Sequence, residues 1–198
     1  MADNVAITAG SGTNIAADDI ASVFYQRVKI SHGADGSATD TSSAAPLPVG
    51  TLLKITDVTL SLDTSAYASG DVLADSQIIS ACLRTDDGTG TIVNVTLTDV
   101  DDQGAGLDLI FLDANVALGT ENSTPSITDG NAANILGWVR INASDWIDLG
   151  GVRLASVPCT IPVKGVSGAD DLYVAAITRG TPTHTASGIV LRVAIACD

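Results

Sequence analysis

Glutamate is almost missing from this chain: of 23 acidic residues, Glu121 is the only one that is not aspartate. Lysine and arginine together number nine, and aromatic residues make up 4% of the sequence. Strong surface helix formers are therefore scarce, which excludes a fold built on long helices. The formal charge of −14 repels phosphate backbones. No Lys/Arg cluster overrides that field locally, so nucleic acid is excluded as an expected partner. Cys82, Cys159 and Cys197 are odd in number, widely spaced and lack a C-x-x-C pairing, which argues against a zinc motif or a disulfide framework. Cys159 and Cys197, each at an apolar phase of an alternating run, read as small buried hydrophobes in a reducing compartment. No continuous apolar run is long enough to span a membrane, and the opening Met-Ala-Asp-Asn carries neither a basic segment nor an apolar stretch. The expectation is synthesis in the cytoplasm without membrane attachment. The sequons at Asn94, Asn122 and Asn142 then carry no glycosylation claim.

What the chain does have is Val, Ile and Thr in short runs, separated by Asp, Gly, Asn and Ser where turns need them. A length of 198 residues fits one main domain plus an arm. Residues 1–22 are small and polar and are expected to form an extended arm. Val23 to Ile30 alternates as one strand, and a Gly/Ser/Asp-rich linker follows to Pro46-Leu47-Pro48, whose prolines stop a ladder. The division expected is an arm, strand and linker over 1–49 and a β-sandwich over 50–198.

In the second part the strands predicted are 52–62, 77–84, 91–98, 107–112, 136–142, 151–157, 159–164, 172–178 and 189–197. The last is the clearest, because Ile189, Leu191, Val193, Ile195 and Cys197 share one phase. Leu107, Leu109 and Phe111 repeat that logic. Strands of this number and length point to an all-β, jelly-roll-like antiparallel β-sandwich with an extended N-terminal arm. Short helical turns are predicted at 131–136 and at 144–148, the latter with Ser144 as cap. Trp138 and Trp146 flank this region. They are expected to anchor one end of the core, the alternative being an exposed aromatic site for a sugar or a partner protein.

Catalytic chemistry finds little to stand on. His32 lies in the linker and His184 in a hydroxyl-rich turn, neither with a second His or Cys at ligand spacing, and both read as solvated turn histidines. There is no Gly-x-Ser-x-Gly elbow, no phosphate-cradling Gly-rich element and no marked carboxylate pair. Asp99-Val100-Asp101-Asp102-Gln103-Gly104 resembles the first half of a calcium loop. The twelfth position is Ile110 where an EF-hand needs Glu, so an Asp-rich hairpin turn is the simpler reading. No catalytic, cofactor-binding or metal-binding residue is expected, and the chain reads as a scaffold rather than an enzyme.

Several stretches carry a resemblance. Ala17-Asp18-Asp19-Ile20, Tyr25-Gln26-Arg27-Val28-Lys29, Gly33-Ala34-Asp35-Gly36 and Pro46-Leu47-Pro48-Val49 together resemble an opening that recurs in structural proteins of tailed bacteriophages. Ala66 to Asp75 and Arg179 to Gly188 are similar to such proteins as well. The resemblance implies a virion component, by analogy a β-rich head decoration or cement protein on the outer capsid surface. Its implied partners are the major capsid protein and two further copies of itself in a homotrimer, with residues 1–30 as the adhesive element. Two alternatives stay open: a tail, neck or fibre component, and a glycan-binding module using the turns around Trp138, Trp146 and Thr181 to Thr185.

Overall fold

The structure is a computed structural model that describes residues 17–20, 23–26, 31–32, 39–40 and 52–198. Contacts divide the chain into two units, Met1–Val49 and Gly50–Asp198. In the first unit β1 (Ala17–Ile20) pairs antiparallel with β2 (Val23–Gln26), and β3 (Ser31–His32) pairs with β4 (Thr39–Asp40). The strand predicted over 23–30 is thus present as Val23–Gln26, and its partner comes from the stretch read as an extended arm. The rest of that arm, most of the linker and the Pro46-Leu47-Pro48 stop lie outside the described residues.

The second unit is built from β5 (Leu52–Thr59), β6 (Val72–Ile79), β7 (Thr89–Asp99), β8 (Leu107–Leu112), β9 (Ile135–Ile141), β10 (Trp146–Asp148), β11 (Arg153–Lys164), β12 (Leu172–Thr178) and β13 (Ile189–Cys197). One sheet runs β10-β11-β7-β13-β5 and the other β6-β12-β8-β9, antiparallel throughout. Strands from the two halves of the chain alternate within each sheet. With β10 as a short addition at one edge, this is the eight-stranded order of a jelly roll, two Greek keys folded into a sandwich.

Alternation within each strand decides which side chains enter the space between the sheets. Ile189, Leu191, Val193, Ile195 and Cys197 are buried in a single row, as the pattern of β13 predicts. Val95, Leu97, Leu107, Leu109, Phe111, Val174 and Ala176 meet them from the neighbouring and opposite strands. Cys82 and Cys197 are fully buried, whereas Cys159 is only half-buried. Burial pushes the Cys82 thiol up to about 12 and raises those of Cys159 and Cys197, so none behaves as an activated thiol.

The boundaries differ most from the sequence reading at three places. The strand expected at 77–84 lies at 72–79: Val72, Leu73 and Ala74 enter the sheet, polar Asp75 and Ser76 carry it on to Gln77, and it ends at Ile79. The expected pair 151–157 and 159–164 is one strand. Pro158 and Pro162 are tolerated in it because β10 covers β11 only as far as Ala155, leaving an open edge where a missing N–H costs little. The register of β11 on β7 shifts between Pro158 and Ile161, a bulge that re-phases the ladder. The helical turns fall at Asp129–Ala132, capped by Thr128, and at Ala143–Asp145, where Asn142 takes the capping place expected of Ser144. Residues 146–148 form a strand instead of helix.

At one end of the sandwich four connections meet, formed by residues 60–71, 100–106, 142–152 and 179–188. They brace one another. Tyr67 N donates to Pro182 O at 3.0 Å, Leu62 N to Ala186 O at 3.0 Å, Arg179 N to Gly106 O at 2.7 Å and Val100 N to Gly188 O at 2.9 Å. Trp146 is buried here and its indole N–H donates to Ala105 O at 3.1 Å, the core-anchoring role expected of it.

Candidate functional site

Two places stand apart from the packed core, one on the outer face of the β6-β12-β8-β9 sheet and one among the braced connections. On the sheet, the residues of β8 that point away from the core are Asp108, Ile110 and Leu112. The connection after β8 folds back over part of this face, so Val72, Leu112, Leu118 and Ala175 form a second apolar cluster beneath it. What stays open is a groove of about 270 Å³ lined by Asp108, Ile110, Ile135, Trp138, Arg140, Ile177 and Arg179.

Trp138 stands directly opposite Ile110 across the β8/β9 ladder and is 57% exposed. The expectation that both tryptophans anchor the core therefore fails for Trp138. Its neighbours Val139 and Ile141 take the inward phase of β9, and the parity of the strand turns the indole outward. The Arg140 guanidinium lies over that indole, 5.4 Å from the ring centroid. A glycan site combining both tryptophans in end loops is not assembled, because Trp146 is buried and Trp138 lies on a sheet face.

Beside Trp138 the groove ends in a charged triad. Arg140 holds Asp108 in a two-pronged grip, Nε to Oδ1 at 2.7 Å and Nη2 to Oδ2 at 2.9 Å. Arg179 adds a contact from Nε to Oδ2 at 2.8 Å. Asp108 is only 4% exposed while both arginines are half-exposed. Burial opposes ionisation of Asp108, yet the hydrogen bonds and charges of the two guanidiniums outweigh it and hold the carboxyl below the ordinary aspartate range.

The unfolded chain consequently binds this proton more tightly than the folded one. The stabilisation is complete above the ordinary aspartate range and is lost as the pH falls through the depressed folded value. Asp108→Asn is expected to cost about 1.5–3 kcal/mol at neutral pH. In urea unfolding, the gap between wild type and variant is expected to close as the pH is lowered through that window; a gap independent of pH would mean that the carboxylate charge is not what the arginines hold.

The second place centres on the Asp-rich turn. Asp99 ends β7 with 1% exposure, and its carboxylate caps the connection that follows. Oδ1 accepts from Asp101 N at 3.0 Å, and Oδ2 accepts from Gln103 N at 3.0 Å and Gly104 N at 2.8 Å. Gly104 sits at φ +60° against the Arg153 side chain, which the carboxylate of Asp102 holds through Nε at 2.8 Å. These bonds are those of an Asp-rich turn, the simpler of the two sequence readings.

The turn is also joined by His184. That residue is 4% exposed, so the expectation of a solvated turn histidine is corrected. Its imidazole Nδ1 lies 3.5 Å from Asp101 Oδ2 and 3.8 Å from Asp99 Oδ1. Thr185 draws the two connections together by donating from its N to Asp101 Oδ2 at 2.7 Å. Sequence alone could not bring His184 here, since the turn that buries it lies more than eighty residues earlier in the chain. His32 lies in β3, and its side chain is outside the described residues.

No protein-family profile matches the chain, and no curated protein sequence matches it. Among solved structures, a chain of the Israeli acute paralysis virus full particle overlaps 99% of this chain and 94% of its own length, at 13% identity and a TM-score of 0.34. A chain of Desmodium yellow mottle tymovirus overlaps 87% of this chain and 95% of its own, at 12% identity and a TM-score of 0.26. Superpositions this loose leave the fold assignment to the strand order itself.

Proposed function

We propose that this chain is a non-enzymatic structural protein of a virus particle, specifically a head decoration protein that binds the outer capsid lattice of a tailed bacteriophage. The observation that carries the reading is the open groove around Trp138. A large indole standing in water, stacked by an arginine and floored by Ile110 and Ile177, has the composition of a protein contact, where Trp and Arg contribute most of the binding energy. It also sets two half-exposed guanidiniums on the surface of a chain of charge −14. A surface so acidic elsewhere discourages other approaches and favours docking through this face.

The jelly roll supports the reading as a rigid module of a kind recurrent in capsid and lectin domains, though such a fold hosts more than one function. The stretches that resemble tailed-phage structural proteins narrow it. In this proposal the protein is made in the host cytoplasm and seats on the major capsid protein as a homotrimer. The groove is one contact and residues 1–30 a second, and the three copies of these weak contacts in the trimer reinforce one another through effective concentration.

The test is co-sedimentation of the purified chain with phage heads that lack it. Saturable occupancy is expected, and Trp138→Ala should cost about 2 kcal/mol of binding per contact, roughly thirtyfold. Undiminished occupancy by the variant would remove the groove from the interface. Binding to tails and not to heads would move the protein to a tail, neck or fibre position, and binding to glycans alone would make it a receptor-recognition module.

A further inference from the structure

We propose that Asp99, Asp101 and His184 form a binding site for one divalent first-row transition-metal ion of the zinc class, which pins the connection after β7 to the connection before β13. The three side chains each offer one ligand atom, and these atoms all lie within 4.8 Å of one another. Buried carboxylates without a counter-charge are costly, and buried charges are ordinarily paired or ligate a metal. Among the described residues, His184 is the only basic side chain within ion-pair distance of Asp99 and Asp101. Arg153 is engaged with Asp102 and Asp148.

The second, independent observation is the histidine itself. His184 Nδ1 is buried and has no hydrogen-bond partner, although it faces two carboxylates. An imidazole nitrogen left bare between two anionic oxygens is the donor set expected where a cation completes the arrangement. The spacing fits. Four-coordinate ligands with bonds of about 2.0–2.1 Å stand roughly 3.3–3.5 Å apart, so the separations of 3.5 and 3.8 Å from the imidazole need to contract by no more than a few tenths of an ångström, and the two carboxylates, within 4.8 Å of each other, draw together by about 1.5 Å at most.

The chemistry of the set selects the metal. Imidazole with carboxylates suits zinc and its first-row neighbours, whereas calcium and magnesium call for shells made entirely of oxygen. Three protein ligands leave a fourth position to water. Outer contacts fix the first shell: Thr185 donates to Asp101 from its N and its hydroxyl, and the turn amides hold Asp99. Gly188 makes room for the Asp101 carboxylate, since a Cβ there would fall 1.8 Å from Oδ2.

The experiment is titration of the full chain, freed of metal and kept reduced, with zinc while heat and melting temperature are followed. One equivalent should bind and raise the melting temperature to a plateau, and His184→Gln and Asp101→Asn should each weaken binding by at least about tenfold. Cobalt(II) bound to the unaltered chain should show nitrogen and oxygen ligation with no thiolate-to-cobalt charge-transfer band, a readout that does not depend on either variant folding. Absence of zinc uptake would overturn the site. So would uptake that survives both substitutions, a thiolate band placing the metal on the cysteines, or stabilisation by calcium or magnesium but not by zinc.

Discussion

Replacing Phe111 with alanine is expected to destabilise the sandwich by about 3–5 kcal/mol. Phe111 is the largest fully buried side chain of the core, and it projects from the middle of its sheet, with Val174 and Gly137 beside it on the two flanking strands. Truncation removes the transfer free energy of the ring and opens a cavity between two sheets that the ladders on both sides prevent from collapsing. A domain of this size has about 5–15 kcal/mol in total, so the loss is a large share of its stability. Urea unfolding followed by tryptophan fluorescence measures it, with Trp146 as the buried reporter. A cost under about 1 kcal/mol would mean that the two sheets repack freely and that the inter-sheet space is not the core.

Asp99→Ala is expected to cost about 2–4 kcal/mol, although it removes no apolar contact of consequence. The carboxylate accepts from the amides of Asp101, Gln103 and Gly104, and its loss leaves these donors in a part-buried turn, each at a penalty of about 1–3 kcal/mol before relaxation. The disturbance should also spread. The same turn holds Arg153 through Asp102 and the connection before β13 through Asp101, so amides over 179–188 should lose hydrogen-exchange protection along with those of 100–106. Loss of protection confined to 100–106 would contradict the bracing between connections. Urea unfolding with zinc removed isolates this turn-capping effect from any contribution of a bound ion.

How far the fold could be read in the sequence follows from how local each determinant is. β8, β12 and β13 were legible to the residue as short runs rich in apolar and β-branched side chains, and in β13 the alternation also states the inward face. β6 was not, since its middle residues Asp75, Ser76 and Gln77 are polar and belong to a sheet whose outer face is only partly covered. Nor was the continuity of β11 through Pro158, which depends on the strand being an open edge at that point. Trp138 was misassigned by residue type. Aromatics are usually buried, but the parity of β9 outweighs that tendency, and only the position of Val139 and Ile141 in the core reveals it.

The candidate sites were less legible still. Asp99 to Gly104 was visible as an Asp-rich turn, but nothing near His184 in sequence announces a buried imidazole, because Thr181, Thr183 and Thr185 are the residues of a solvated loop. Its burial is created by contacts such as Asp101 to Thr185 that join distant parts of the chain, and these exist only once the Greek keys close. The Asp108, Arg140 and Arg179 triad has the same origin, since three strands must be adjacent before the charges meet.

The most direct test of the account is cryo-electron microscopy of particles purified from cells in which this chain is made. The expected result is density for an eight-stranded jelly roll on the outer head lattice, with the Trp138 groove turned toward a neighbouring subunit and three copies around each attachment point. Particles that contain no copy of the chain would contradict the virion role, and density confined to the tail would contradict its place on the head.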